Sequence, residues 1–212
     1  MTSRGFRKGR PGGQARANQA ADGGEGFLSA SLFSQAQILH LMKAEFARAR
    51  RHGIELSCIM MQIDRLPQLV DLHGAELRQT VRQALADMLK VRTRGADLLG
   101  VMNDDRYLLL LPHTGLDAAR LVAERLRGLF AELEITVDGR ALLLTLSLGV
   151  TANESRDTMF FDSMVGRVEA ALDHAAARGG NAVVRFEELH LHPAEPLAGR
   201  TTEPPAGPAG KE

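Results

Sequence analysis

Apolar residues recur at two periods along this chain, and the switches between them mark its elements. Leu32, Ile38, Leu39, Met42 and Phe46 are spaced as one face of a helix and predict a helix over 32–52. Its basic end, Arg48 to His52, suits the negative pole of a helix dipole, and Gly53 is placed to close it. The apolar run at 55–63 predicts a buried strand. Leu77, Val81, Leu85, Met88 and Leu89 predict a helix, continuous or broken, within 67–92. Apolar strands near 97–102 and 106–112 flank the polar turn Asn103-Asp104-Asp105, which predicts a hairpin with two adjacent carboxylates at its tip. A strong helix follows over 115–132, then strands at 134–138 and 141–151, a helix at 160–178 and a last strand at 181–186.

Helices thus separate the strands, but the central strand pair is a hairpin. That order predicts an α/β fold, a central mixed β-sheet flanked by helices in a βαββαβ arrangement. The two ends read differently. Residues 1–26 are rich in Gly, Arg, Ala and Gln, cannot offset their ordering entropy by burial, and are expected to form a disordered basic tail. Residues 188–212 are expected to be a disordered Pro-rich tail, leaving 27–187 as the folded domain.

Composition narrows the function classes. The 26 basic and 26 acidic residues cancel, so no global field draws the chain to nucleic acid or an acidic membrane. No apolar run approaches the ~20 residues that span a bilayer. The single cysteine, Cys58, sits in the apolar run SCIMM and reads as a small buried hydrophobe. One cysteine permits no disulfide framework, and the basic N-terminus lacks the apolar segment of a secretory signal, so a cytoplasmic location is expected. His190 and His192 alternate without a third metal ligand, and no Gly-x-Ser-x-Gly occurs.

The ordered part resembles a GGDEF domain, the catalytic module of bacterial diguanylate cyclases, over about residues 27–187. The matching segments are Arg48–Gly53, the strand ending Gln62-Ile63-Asp64, Asp71–Gly74, Arg94-x-x-Asp97, Leu108–Pro112, Ala123–Arg127, Thr145–Val150 and Ala175–Asn181. Their order and spacing carry the likeness. In the family two glycines of the signature let backbone approach GTP phosphates, as glycine allows. Here the signature is Asn103-Asp104-Asp105-Arg106-Tyr107. The catalytic glutamate's position holds Arg106, which cannot act as a base. The two metal-ligand positions hold Gln62 and Asp105, so magnesium is not expected as a cofactor; Asp64 and Asp105, with Asp104, are the residues that could still hold a divalent cation. The plainer reading is good turn chemistry, with Arg106 neutralising the paired acids. Val70 and Gln79 stand where the family binds guanine, and Ala176 and Gly180 where it has a phosphate-binding Lys and Arg.

The resemblance therefore implies a chain that is not an enzyme. What it leaves is the family's inhibitory site, where an Arg-x-x-Asp and an arginine of the next helix bind cyclic di-GMP. The matching residues are Arg94, Asp97 and Arg125. Guanidinium groups fork onto phosphates and guanine edges, and a carboxylate accepts from a guanine N–H. The expected function is a catalytically inactive cyclic di-GMP receptor that relays to a protein partner, with neither membrane nor nucleic acid as partner. A ligand-free interaction module, including a homodimer, is the alternative. A working cyclase with an unusual site is the third.

Overall fold

The computed structural model describes residues 32–137, 139–153 and 160–189. Most of the two tails, with His190 and His192, lies outside the described residues. The central strand is β1, Leu56–Ile63, whose side chains are buried on both faces. It runs antiparallel to β3, Arg106–Pro112, on one edge and to β6, Leu146–Ala152, on the other. β2, Leu98–Val101, closes the sheet beside β3, and β7, Val183–Arg185, pairs parallel with β6. The result is a five-stranded mixed sheet in the order β2-β3-β1-β6-β7.

Alternation along β1 divides the core. Ile59, Met61 and Ile63 face one cluster, while Leu56, Cys58 and Met60 face the other. The first cluster is covered by α3, Ala75–Arg92, and α4, Leu116–Ala131. The second is covered by α1, Gln35–His52, and α5, Phe161–Ala177. Burial raises the Cys58 thiol pKa well above its ordinary value, helped by the charge of Glu169.

Local signals explain the boundaries. At the start of α1 the amide and hydroxyl of Ser34 both donate to Gln37 Oε1, at 2.9 Å each. At its end Gly53 takes the left-handed conformation, φ 63°. The helix expected over 67–92 is two helices, α2, Leu66–His73, and α3. Gly74, at φ 89°, is the last cap of one and the first of the other. The strand expected at 141–151 is also divided. β5, Arg140–Leu142, leaves the main sheet to pair with β4, Ile135–Val137, and β6 begins only where β1 supplies a partner, at Leu146. The last strand is shorter than 181–186 and runs into a helical turn, α6, Phe186–Leu189.

Helix α5 lies unusually close to the sheet at Gly149. A Cβ there would meet the carbonyl oxygen of Val168 and stand 2.5 Å from the Leu172 nitrogen. Both are backbone atoms of a helix and cannot swing aside. Gly149→Ala is expected to lower stability by about 2–3 kcal/mol in urea unfolding, through overpacking rather than loss of any contact.

Candidate functional site

Strands β2 and β3 are joined by a two-residue turn. Met102 N–H donates to Arg106 O at 2.8 Å and Arg106 N–H to Asn103 O at 3.2 Å. The central residues Asp104 and Asp105 both have φ 58°. Left-handed conformations at both positions match the twist of a tight hairpin, and glycine or asparagine fills them with least strain. Two aspartates are tolerated because short polar side chains visit this region. Asn103 and Asp104 are exposed.

Asp105 turns inward. Its carboxylate is ion-paired to the Arg82 guanidinium and lies 3.6 Å from Arg78 Nε, the two arginines standing one turn apart on α3. Arg106 takes the other direction. It was expected to neutralise the paired acids, but even-numbered residues of β3 face α5, so its guanidinium meets Asp173 there at 2.6 Å.

Beside the turn, Asp64 leaves the end of β1. One carboxylate oxygen accepts from the Thr145 hydroxyl at 2.7 Å and the Asn181 amide at 2.8 Å. The other accepts from the Ser147 hydroxyl at 2.6 Å. Gly180, at φ 78°, permits this, because a Cβ there would stand 2.7 Å from the Asp64 carboxyl carbon. A cleft of about 380 Å³ opens between the start of α2 and the turn, lined by Gln62, Asp64, Arg65, Gln68 and Asp104, among others. These residues do not fit a divalent cation. Asp64 is committed to three donors, Asp105 to two guanidinium groups, and Gln62 offers a neutral amide. Among the described residues no group of three or more His, Cys, Asp or Glu converges to hold a metal ion.

The Arg94–Asp97 turn lies between α3 and β2. Arg94 N–H donates to Asp97 Oδ2 at 2.7 Å, and Asp97 N–H returns to Arg94 O at 3.0 Å. The carboxylate thus locks its own turn and leaves the Arg94 residue exposed. Arg125 is exposed on α4, which packs beside α3. The structure places Arg94 and Asp97 in one turn and Arg125 on the neighbouring helix. Sequence reasoning missed Arg78 and Arg82, whose i, i+4 spacing on α3 was the available signal, and it missed Thr145, Ser147, Asp173 and Asn181 as partners.

The sheet order, the hairpin at one edge and the cleft at the hairpin tip define an α/β domain with a nucleotidyl-cyclase-like core. Residues 30–182 match the family model described as "Diguanylate cyclase, GGDEF domain", and the chain belongs to that family. Diguanylate cyclase DgcP of Pseudomonas aeruginosa is 30% identical over 146 residues, covering 69% of this chain but 22% of its own length. The chain thus spans well under half of that relative. Diguanylate cyclase SiaD of Pseudomonas aeruginosa, solved in complex with its activator SiaC, is 30% identical with a TM-score of 0.68. The match covers 74% of this chain and 60% of that one. The GGDEF domain of DgcB from Caulobacter crescentus, solved in complex with c-di-GMP, has a TM-score of 0.70 at 16% identity. There the coverage is 82% and 99%, and at that identity the likeness is one of fold.

These findings correct one expectation. The reading of the chain as no enzyme does not stand, because its family is described as diguanylate cyclase and its curated relatives carry that name. Among the described residues no helix is long and apolar enough to cross a membrane.

Two outcomes test the geometry. Asp104→Gly is expected to raise stability by up to about 1 kcal/mol and Asp104→Val to lower it by about 2 kcal/mol, both read by urea unfolding. The second concerns Asp97. Burial pushes its carboxyl above the ordinary value of 3.8, while the Arg94 amide and charge offset only part of this. A carboxyl raised in the folded state stabilises it when protonated. That contribution is complete below 3.8 and is lost as pH rises through the folded value. In Asp97→Asn the fall in urea midpoint across that acid window should be shallower than in wild type.

Proposed function

We propose that this GGDEF domain is a cytoplasmic receptor for cyclic di-GMP, binding it at the Arg94–Asp97 turn and relaying the bound state to a protein partner. The observation that carries this reading is the locked turn: Asp97 fixes the backbone of Arg94 while the arginine stays exposed. A rigid base beneath a planar guanidinium lowers the ordering cost of gripping a phosphate or a guanine edge. Arg125, on the neighbouring helix, supplies a second cation for a ligand with two phosphates. The Asp97 carboxylate has lone pairs beyond the one used by Arg94 N–H, enough to accept from a guanine. A DgcB domain of the same fold was solved with c-di-GMP, and SiaD was solved with a protein activator, which supports both halves of the reading. The signature turn Asn103–Tyr107 is degenerate in this reading, its two aspartates standing where the family has flexible backbone.

Cyclase chemistry on GTP is the second reading, carried by the names of the relatives. Its place would be the cleft beside Asp104.

Calorimetry tests the first reading and turnover of GTP the second. Cyclic di-GMP is expected to bind wild type, and Arg94→Ala and Arg125→Ala each to weaken binding by about tenfold or more, the scale of losing a charge-assisted contact. A wild-type titration without heat sinks the receptor reading. Cyclic di-GMP formed from GTP by wild type and not by Asp105→Ala supports the second.

A further inference from the structure

On the sheet face away from α3 and α4, a groove of about 490 Å³ runs between α1 and the start of α5. Its floor is aromatic, from Phe46, Phe160 and Phe161, and its rim is cationic, from Lys43, Arg50 and Arg51. Among the described residues no carboxylate lines it. The Lys43 ammonium stands 5.7 Å from the centroid of the Phe161 ring, and the Arg50 guanidinium 6.0 Å from that of Phe46. Phe160 is 65% exposed. It also occupies the N-cap of α5, where Ser, Thr, Asp or Asn would stabilise the helix, and makes no cap hydrogen bond. Neither core packing nor helix capping accounts for a phenylalanine at that position.

We propose that this groove docks an acidic, amphipathic peptide segment of a protein partner, with an apolar side chain set against Phe160 and Phe161 and flanking carboxylates paired to Lys43 and Arg51. Charge complementarity selects the occupant: the cationic Lys43 and Arg51 repel a basic segment and would be left desolvated by a purely apolar one. Shape favours a peptide over a lipid surface. The volume is that of a site for a few side chains, and three basic residues at ~1 kcal/mol each anchor a protein only weakly to an anionic bilayer. The sheet separates this groove from the helices that flank Arg94 and carry Arg125, so docking and nucleotide binding do not compete for surface.

The test is selection without a known partner. A random peptide library displayed on phage is panned on the full chain, and selected peptides are titrated by fluorescence anisotropy. Expected are peptides rich in Asp and Glu around a Leu or Phe. Their affinity should fall by about tenfold or more in Lys43→Glu/Arg51→Glu and by about fivefold or more in Phe160→Ser, as for anchors at the centre of an interface. All three positions are exposed, so these variants are expected to fold, which circular dichroism checks. The proposal is overturned if no peptide is selected, if the selected peptides show no acidic bias, or if they bind the variants as well as wild type. Sedimentation of wild type, but not of the variants, with phosphatidylserine vesicles assigns the groove to a membrane and overturns it too. Concentration-dependent dimers in light scattering that the variants lose assign it to a second copy, with the same consequence.

Discussion

The Asp64 carboxylate holds together the part of the molecule where strand ends meet. It accepts from Thr145 and Ser147 at the entrance to β6 and from the amide of Asn181 before β7, while its own amide donates to Thr145 O. The parallel pairing it guards is short, from Leu148↔Val183 to Val150↔Arg185. A strand added by so few ladder bonds needs its entrance fixed, and even at ~1 kcal/mol each the three side-chain bonds outweigh what one more ladder residue would contribute. The same residue forms one wall of the cleft. The position of α2 relative to the hairpin tip is therefore tied to the closing turn of α5 and β7.

Around this clasp the hairpin is held from both sides of the sheet. Asp105 is tied to α3 through Arg78 and Arg82, and its neighbour Arg106 to α5 through Asp173. Adjacent residues of a strand point to opposite faces, so two consecutive side chains anchor the turn in two cores. These pairs are partly exposed and add little stability each. Their effect is on placement, since the turn cannot swing toward either helix layer without breaking one pair. The Arg94–Asp97 turn begins the same β2–β3 unit, which links it mechanically to the tip.

Much of this was legible in the sequence because periodicity reports which face is buried. The helices, β1, the hairpin and the two-sided core follow from spacing alone, as does the burial of Cys58. The position of the break at Gly74 and the division after Leu142 were not legible. A continuous apolar pattern does not say when a strand loses its neighbour, and Leu143 and Leu144 look alike in sequence although the first is 91% exposed and the second 3%. At the site, the partners of the charged residues were not legible. Asp64 was weighed as a metal ligand because its donors lie 81 to 117 positions away. Arg106 was assigned to the nearest acids because sequence distance hides the face of the strand. The likeness to cyclases was legible in motif order. Activity was not, since it depends on groups whose positions only geometry gives.

The close approach of Gly180 to Asp64 joins two positions far apart in the chain. Any side chain at 180 would have to enter a left-handed backbone and displace a carboxylate held by three donors. The residue at 180 is therefore coupled to the carboxylate at 64, and a change at either one is felt where the strand ends meet.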